Sequence, residues 1–201
     1  MSESQESVSS NNIGVEHRPT AGEQRIWWFF WAIVVVVFIL DQSAKALALQ
    51  SEWDHNPVTV IPSFFELWLT FNRGAAFSLF PEGRWVFVAV SVGAFIFIPC
   101  YLRMLLRSGT AHPLYPLGFG LMLGGALGNA YDRILREHGE VVDFLHFYWL
   151  QPGPGRSFPV FNLADSAITI GLSAILLVVL FPGLVGGRGV RAETDHVAGS
   201  I

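Results

Sequence analysis

Four long apolar segments dominate this chain, and they restrict it to folds that keep such segments out of water. The first runs from Ile26 to Leu40 without a polar side chain and continues through Asp41 to Leu49. The others are Trp85 to Leu102, Leu114 to about Tyr131, and Phe161 to Val185, with Pro182 and Gly183 marking the end of the last. A bilayer core asks for about 20 predominantly apolar helical residues. The uninterrupted part of the first segment is short for that, so its crossing must use the turns holding Asp41, Gln42 and Lys45. Composition agrees, with 52% hydrophobic and only 14% charged residues, against roughly 25% charged in soluble domains. The pattern predicts a mainly α membrane protein with four transmembrane helices at about 26–48, 85–103, 114–132 and 161–182, in one domain over 25–185.

The flanks read differently. Residues 1–24 are rich in Ser, Glu, Gln and Asn, and 186–201 are similarly polar, so both are expected to be disordered tails. The first apolar run also has the length of a secretory signal core, with Ala44-Lys45-Ala46 as a loose cleavage site. The long acidic leader, and the loss of Asp41 and Lys45 on cleavage, favour a retained helix. The short loop after the second helix carries Arg103 and Arg107 without an acid, which favours the cytoplasm. With Arg18, Arg25, Arg188 and Arg191 that side holds six arginines, against five on the other: Arg73, Arg84, Arg133, Arg136 and Arg156. Both termini are therefore expected inside, and the loops at about 50–84 and 133–160 outside. In the first loop Phe65, Leu67, Leu69 and Phe71 alternate at period two, a strand signal bounded by Pro57 and Pro62. Val141 to Trp149 is also expected to be extended, and Gln151 to Gly155 to turn.

Net charge is −4 with scattered basic residues, which excludes the basic stripe of a nucleic-acid binder. Cys100 stands alone in an apolar run, with no disulfide partner and no zinc-ligand spacing.

Ionisable residues at membrane depth are costly and mark function. Here they gather at one level, the outer ends of helices 1, 3 and 4 and the loops between. Asp41 and Lys45 share a helix face at i, i+4, as a local ion pair or as substrate contacts. Asn129 and Arg133 share another face, with Asp132 adjacent. Asn162 and Asp165 have the spacing of an N-cap with an acid at N3. Asp143 sits in Val141-Val142-Asp143-Phe144-Leu145, where a carboxylate amid apolar neighbours is unusual. Two carboxylates at one depth suit acid–base peptide hydrolysis, because a close pair holds one proton between its members. Asp165, at the positive end of helix 4, is expected to carry the charge, and Asp143 the proton.

Five ordered blocks carry a resemblance. They are Asp41-Gln42-x-x-Lys45, Asn72-Arg73-Gly74-Ala75-Ala76-Phe77-Ser78, Gly124-Gly125-Ala126-Leu127-Gly128-Asn129-x-x-Asp132-Arg133, Val141-Val142-Asp143-Phe144 and Phe161-Asn162-Leu163-Ala164-Asp165-Ser166. Together, over about residues 26–182, the chain resembles the bacterial lipoprotein signal peptidase (signal peptidase II) family. The resemblance implies four transmembrane helices, a small extracytoplasmic β-cradle and a short periplasmic helix. It implies an aspartyl endopeptidase of the cytoplasmic (inner) membrane that cuts prolipoproteins before a diacylglyceryl cysteine. It implies the pair Asp143 and Asp165 as catalytic groups, with no metal or other cofactor. Asn72, Gly74, Asn129, Arg133, Asn162, Asp41 and Lys45 would bind substrate or support the site. It also implies prolipoprotein and membrane lipid as partners, inhibition by globomycin, and a monomer. The tails, and the stretch from Gln151 to Ser157, look longer than the family core needs. Other readings are an ion- or proton-coupled transporter, a non-enzymatic scaffold, and a metal site built on Asp143, His146 and Asp165. His146 is more simply an interfacial side chain.

Overall fold

The computed structural model describes residues 19–74, 83–109, 112–148 and 158–182. Four helices, α1 (Ala21–Leu49), α2 (Arg84–Arg107), α3 (Leu114–Leu135) and α4 (Leu163–Leu180), carry one small sheet of β1 (Val58–Ile61), β2 (Phe65–Asn72) and β3 (Val141–Phe147). Among the described residues there is no further short helix at the outer end. Ala75 to Ser78 and the stretch from Gln151 to Ser157 lie outside the described residues, as do most of the two tails.

The first helix starts earlier than the apolar pattern indicates, which corrects the expected disordered tail through residue 24. Thr20 caps it: the Glu23 N–H donates to Thr20 Oγ1 at 3.2 Å and the Thr20 N–H donates to Glu23 Oε2 at 2.7 Å. This reciprocal box satisfies two donors that a helix start leaves open, so the helix begins on polar residues ahead of the apolar run.

Three helices, α1, α2 and α4, are long and apolar enough to cross a membrane. Helix α3 has the length but carries Gly118, Gly120, Gly124, Gly125 and Gly128 in place of large apolar side chains. It packs against all three other helices, so much of its surface faces protein instead of lipid. Small residues let the backbones approach. A Cβ on Gly124 would lie 2.9 Å from Val34 O of α1, and one on Gly118 would lie 2.9 Å from Gly171 O of α4. On the outside, α1 and α2 display Trp28, Val35, Ile39, Val86, Val90 and Phe97, all exposed. Such apolar exposure along whole helices suits lipid, not water. The core at the Ala21 end is built from Phe30, Val34, Ile98, Leu102, Phe119 and Leu123.

At the other end the strands run antiparallel in the order β1-β2-β3. Leu67 pairs with Leu145 but Thr70 pairs with Asp143, so β2 holds one extra residue between them. This bulge breaks the period-two reading of β2. Leu69 is buried while Phe71 is exposed, so the four alternating apolar residues do not share one face. Ala48, Leu69, Val142 and Phe144 pack the sheet onto the end of α1. Phe161 bridges Leu145 just before α4. The sheet, α1 and the start of α4 thus meet around β3.

Candidate active site

Asp143 lies in the middle of β3 with 1% of its surface exposed. Its Oδ1 accepts from Asn162 Nδ2 at 2.6 Å and its Oδ2 from Asn72 Nδ2 at 3.0 Å. The Asn72 amide is oriented by its own oxygen, which accepts from the Gly74 N–H at 3.0 Å. Burial raises the Asp143 carboxyl to about 7, and the negative charge of Asp165 adds to the effect. The hydrogen bonds from Asn72 and Asn162 act in the opposite direction, because they favour the ionised form.

Asp165 is the third residue of α4, and Asn162 is the cap. The Asp165 N–H donates to Asn162 Oδ1 at 2.9 Å, and the Asn162 N–H donates to Asp165 Oδ2 at 3.3 Å. The spacing that suggests a cap is therefore a cap, but it does more. Fully buried Asn162 spends its side-chain oxygen on Asp165 and its side-chain N–H groups on Asp143, Asn129 Oδ1 (3.1 Å) and Val142 O (3.2 Å). Asn129 in turn donates to Asp165 Oδ1 at 2.8 Å. Asn162 thus touches both carboxylates, with Asn72 as the second amide on Asp143 and Asn129 as the second on Asp165, and the charge of Asp165 acts on Asp143.

Behind this pair lies a buried ionic cluster. Lys45 Nζ is 2.8 Å from Asp41 Oδ2, 2.9 Å from Asp132 Oδ2 and 3.0 Å from Asn129 Oδ1, which uses all three ammonium donors. Asp41 also accepts from the Ala164 N–H at 3.0 Å and from Gln42 Nε2 at 3.0 Å. Asp132 accepts from the Val142 N–H at 3.3 Å. The cluster therefore ties α1, α3, β3 and α4 together. Asp41 and Lys45 form the i, i+4 ion pair, fully buried behind the carboxylates. Arg133 donates to Gly74 O at 3.3 Å and to Asn129 O at 3.4 Å. Its guanidinium lies 4.6 Å from the Phe87 ring centroid and its charge acts on Asp165 and Asp143.

Every residue singled out from the sequence, Asp41, Lys45, Asn72, Gly74, Asn129, Arg133, Asp143, Asn162 and Asp165, joins this one connected network. Three further members are Asp132, Gln42 and, through its ion pair with Asp132 at 3.4 Å, Arg136. Asp132 lies one turn from Asn129 on α3, a spacing visible in the sequence; its bond to Lys45 is not.

His146 does not join. It is 3% exposed, so it is no interfacial side chain, and its Nδ1 lies 2.8 Å from Glu66 Oε1 across the strands. Tyr148 donates to the other Glu66 oxygen. Strand alternation turns His146 to the face opposite Asp143, which removes it from the three-residue metal site considered above. Among the described residues no group of three or more His, Cys, Asp or Glu side chains is placed to hold a metal ion.

Residues 33–181 match the family model described as signal peptidase (SPase) II. The lipoprotein signal peptidase of Shewanella piezotolerans is 39% identical over 181 residues, covering 88% of this chain and 98% of that one. That of Burkholderia vietnamiensis is 41% identical over 178 residues, covering 87% and 96%. That of Symbiobacterium thermophilum is 41% identical over 145 residues, covering 72% and 90%. Among solved structures, a bacterial membrane enzyme determined by the in meso method at 2.3 Å superposes with a TM-score of 0.66 at 28% identity, covering 79% of this chain and 91% of that one. A second, at 1.9 Å, gives 0.61 at 30% identity over 75% and 91%. With its apolar helices, its matched length and its paired carboxylates, the chain belongs to the signal peptidase II family and is a membrane-spanning peptidase.

Proposed function

We propose that this peptidase removes signal peptides from prolipoproteins, cutting on the N-terminal side of a diacylglyceryl cysteine with water activated between Asp143 and Asp165. The observation that carries the reading is the asparagine bridge: Asn162 holds one oxygen of each carboxylate, through its side-chain amide and its backbone N–H.

In the resting site Asp143 holds the shared proton, since burial raises its carboxyl to about 7. Asp165 carries the charge, at the positive end of α4 and under the amide of Asn129. Asp165 takes a proton from water as the oxygen attacks the scissile carbonyl carbon. Asp143 gives its proton to the carbonyl oxygen. In the collapse of the tetrahedral intermediate Asp143 takes back the proton it gave to the oxygen, Asp165 passes the water proton to the nitrogen, the C–N bond breaks, and the cysteine amine leaves with the pair returned to its resting state. The pair titrates jointly, so the assignment describes the dominant microstate. Asn72, Asn129, Asn162 and the Asp41–Lys45–Asp132 cluster hold the two acids in place. Arg133 and Gly74 shape the edge of the site.

The bilayer makes sense of the arrangement. In this reading α3 crosses with the three more apolar helices, both termini lie in the cytoplasm, and the acids stand near the outer face where water reaches them. A lipid-facing cleft lets the substrate's acyl chains remain in the membrane during cleavage. The protein acts as a monomer and without a metal.

The test is cleavage of a diacylglyceryl prolipoprotein peptide by the purified chain, with and without globomycin. Cleavage before the lipidated cysteine, blocked by globomycin, is the expected result. Full processing by both Asp143→Asn and Asp165→Asn would remove the two-carboxylate mechanism.

A further inference from the structure

At the end of the bundle opposite the paired acids, the first turns of α1 and the last turns of α2 enclose a cavity of about 180 Å³. Pro19, Glu23, Trp27, Arg103, Leu106 and Arg107 line it. It is smaller than the roughly 300 Å³ at which pockets for whole small molecules begin. A headgroup whose tails stay outside is a better match.

Its charge is unusual for so apolar a chain. Arg103 and Arg107 stand at i, i+4 on one face of α2 and are exposed. Among the described residues neither guanidinium is ion-paired to a carboxylate. The helix dipole accounts for a cation in the last turn, where Arg107 lies, but Arg103 is a full turn earlier. Glu23 is engaged by the Thr20 N–H in the α1 cap. With two arginines and one carboxylate, the lining carries a net charge of +1, the complement of a monoanionic phosphodiester. Planar guanidinium groups are suited to phosphate oxygens. Trp27 has the amphipathic ring found where a span leaves the hydrocarbon. Leu106, half-buried, supplies an apolar side to the lining.

We propose that this cavity binds the phosphodiester of an anionic membrane phospholipid, with Arg103 and Arg107 on the phosphate and Trp27 at its rim. Basic pockets between membrane helices bind anionic headgroups by this chemistry. The site is remote from the paired acids and independent of the cleavage reaction proposed above.

The experiment uses the full chain in detergent and counts bound ligand by native mass spectrometry. Four probes are compared: phosphatidylglycerol, a diacylglycerol with the same tails, deacylated glycerophosphoglycerol, and inorganic phosphate. Phosphatidylglycerol should bind and diacylglycerol should not. Arg103→Gln with Arg107→Gln should weaken phosphatidylglycerol binding roughly tenfold or more. Arg25→Gln, an exposed arginine at the same end but outside the cavity, should leave it unchanged. Equal retention of phosphatidylglycerol and diacylglycerol by the unaltered chain overturns the proposal without recourse to any variant. Equal weakening by Arg25→Gln reduces the effect to general surface charge and also overturns it. If glycerophosphoglycerol or phosphate binds as tightly as the lipid, the cavity is a soluble-anion site and the lipid assignment fails.

Discussion

Asn162 reaches Asp143 at 2.6 Å through its side-chain amide while serving as the N-cap of the helix that carries Asp165. One residue thus sets where α4 begins and where both acids point. A buried carboxylate held by two amide donors keeps its geometry, yet burial still leaves the Asp143 carboxyl at about 7. Site geometry and proton position are therefore coupled through a single short side chain.

This coupling separates two roles of Asn162. Asn162→Thr keeps a capping oxygen but loses the amide donors, whereas Asn162→Ala loses both. The alanine variant should lose about 1–2 kcal/mol of stability for the cap, and the threonine variant less than half of that. Both should cut kcat by about 100-fold through misplacement of the acids. Thermal melting in detergent, set beside kcat for peptide cleavage, reads the two effects apart. Equal activity of Asn162→Thr and the unaltered enzyme would show that the amide is not needed.

Replacing either carboxylate should be far more damaging to chemistry than to binding. Asp143→Asn and Asp165→Asn should each lower kcat by about 10²–10⁴-fold, the usual range for a general acid or base. KM should change much less. Single-turnover cleavage of a diacylglyceryl peptide, with substrate binding measured separately, checks this.

The pH profile follows from Asp143. Its carboxyl is raised from 3.8 to about 7, so it keeps its proton up to roughly that pH. The proposed step needs this proton, so the rate should fall as pH rises through about 7 and drop about tenfold per unit well above it. Asn72→Ala removes a donor that favours the ionised form, so the Asp143 carboxyl should rise and the descending limb should move to higher pH. A rate lowered equally at all pH values, with the limb unmoved, would assign Asn72 a structural role only.

Lys45 neutralises two buried acids, Asp41 and Asp132, at 2.8 and 2.9 Å. Lys45→Met should destabilise the protein by about 3–5 kcal/mol, because it leaves uncompensated buried charge. Adding Asp132→Asn should restore part of that loss. A double variant no more stable than Lys45→Met would argue against this coupling.

The glycines of α3 give a contrast in packing. A Cβ on Gly128 would fall 2.5 Å from Asp41 Oδ2, whereas one on Gly93 of α2 meets nothing within 4 Å. Gly128→Ala should cost about 1–3 kcal/mol and disturb the Lys45 cluster. Gly93→Ala should be neutral or slightly stabilising, since alanine is the better helix former. Melting temperatures of the two variants provide the comparison.

The amino-acid sequence determined the helices, because apolar runs and caps act over a few neighbouring residues. The i, i+4 pair of Asp41 and Lys45 and the cap pair of Asn162 and Asp165 could be read from spacing, and Asp143 stood out by its apolar neighbours. The order of the five blocks carried the family. Local patterns did not reveal the bulge between Leu67 and Thr70, since alternation assumes an unbroken pleat. The glycines of α3 pointed to close helix approach, but not to its packing against all three other helices.

Only the tertiary structure decided which polar groups share hydrogen bonds. Lys45 meets Asn129 across 84 positions of chain, and the Ala164 N–H meets Asp41 across 123. His146 meets Glu66 across 80, and so is drawn away from Asp143, three positions behind it. Periodicity within a helix or strand states which face a side chain takes, but not what another element brings to that face. Here the close approach of α1, α3 and α4 at small residues, and the pairing of β2 with β3, bring these groups within hydrogen-bonding distance.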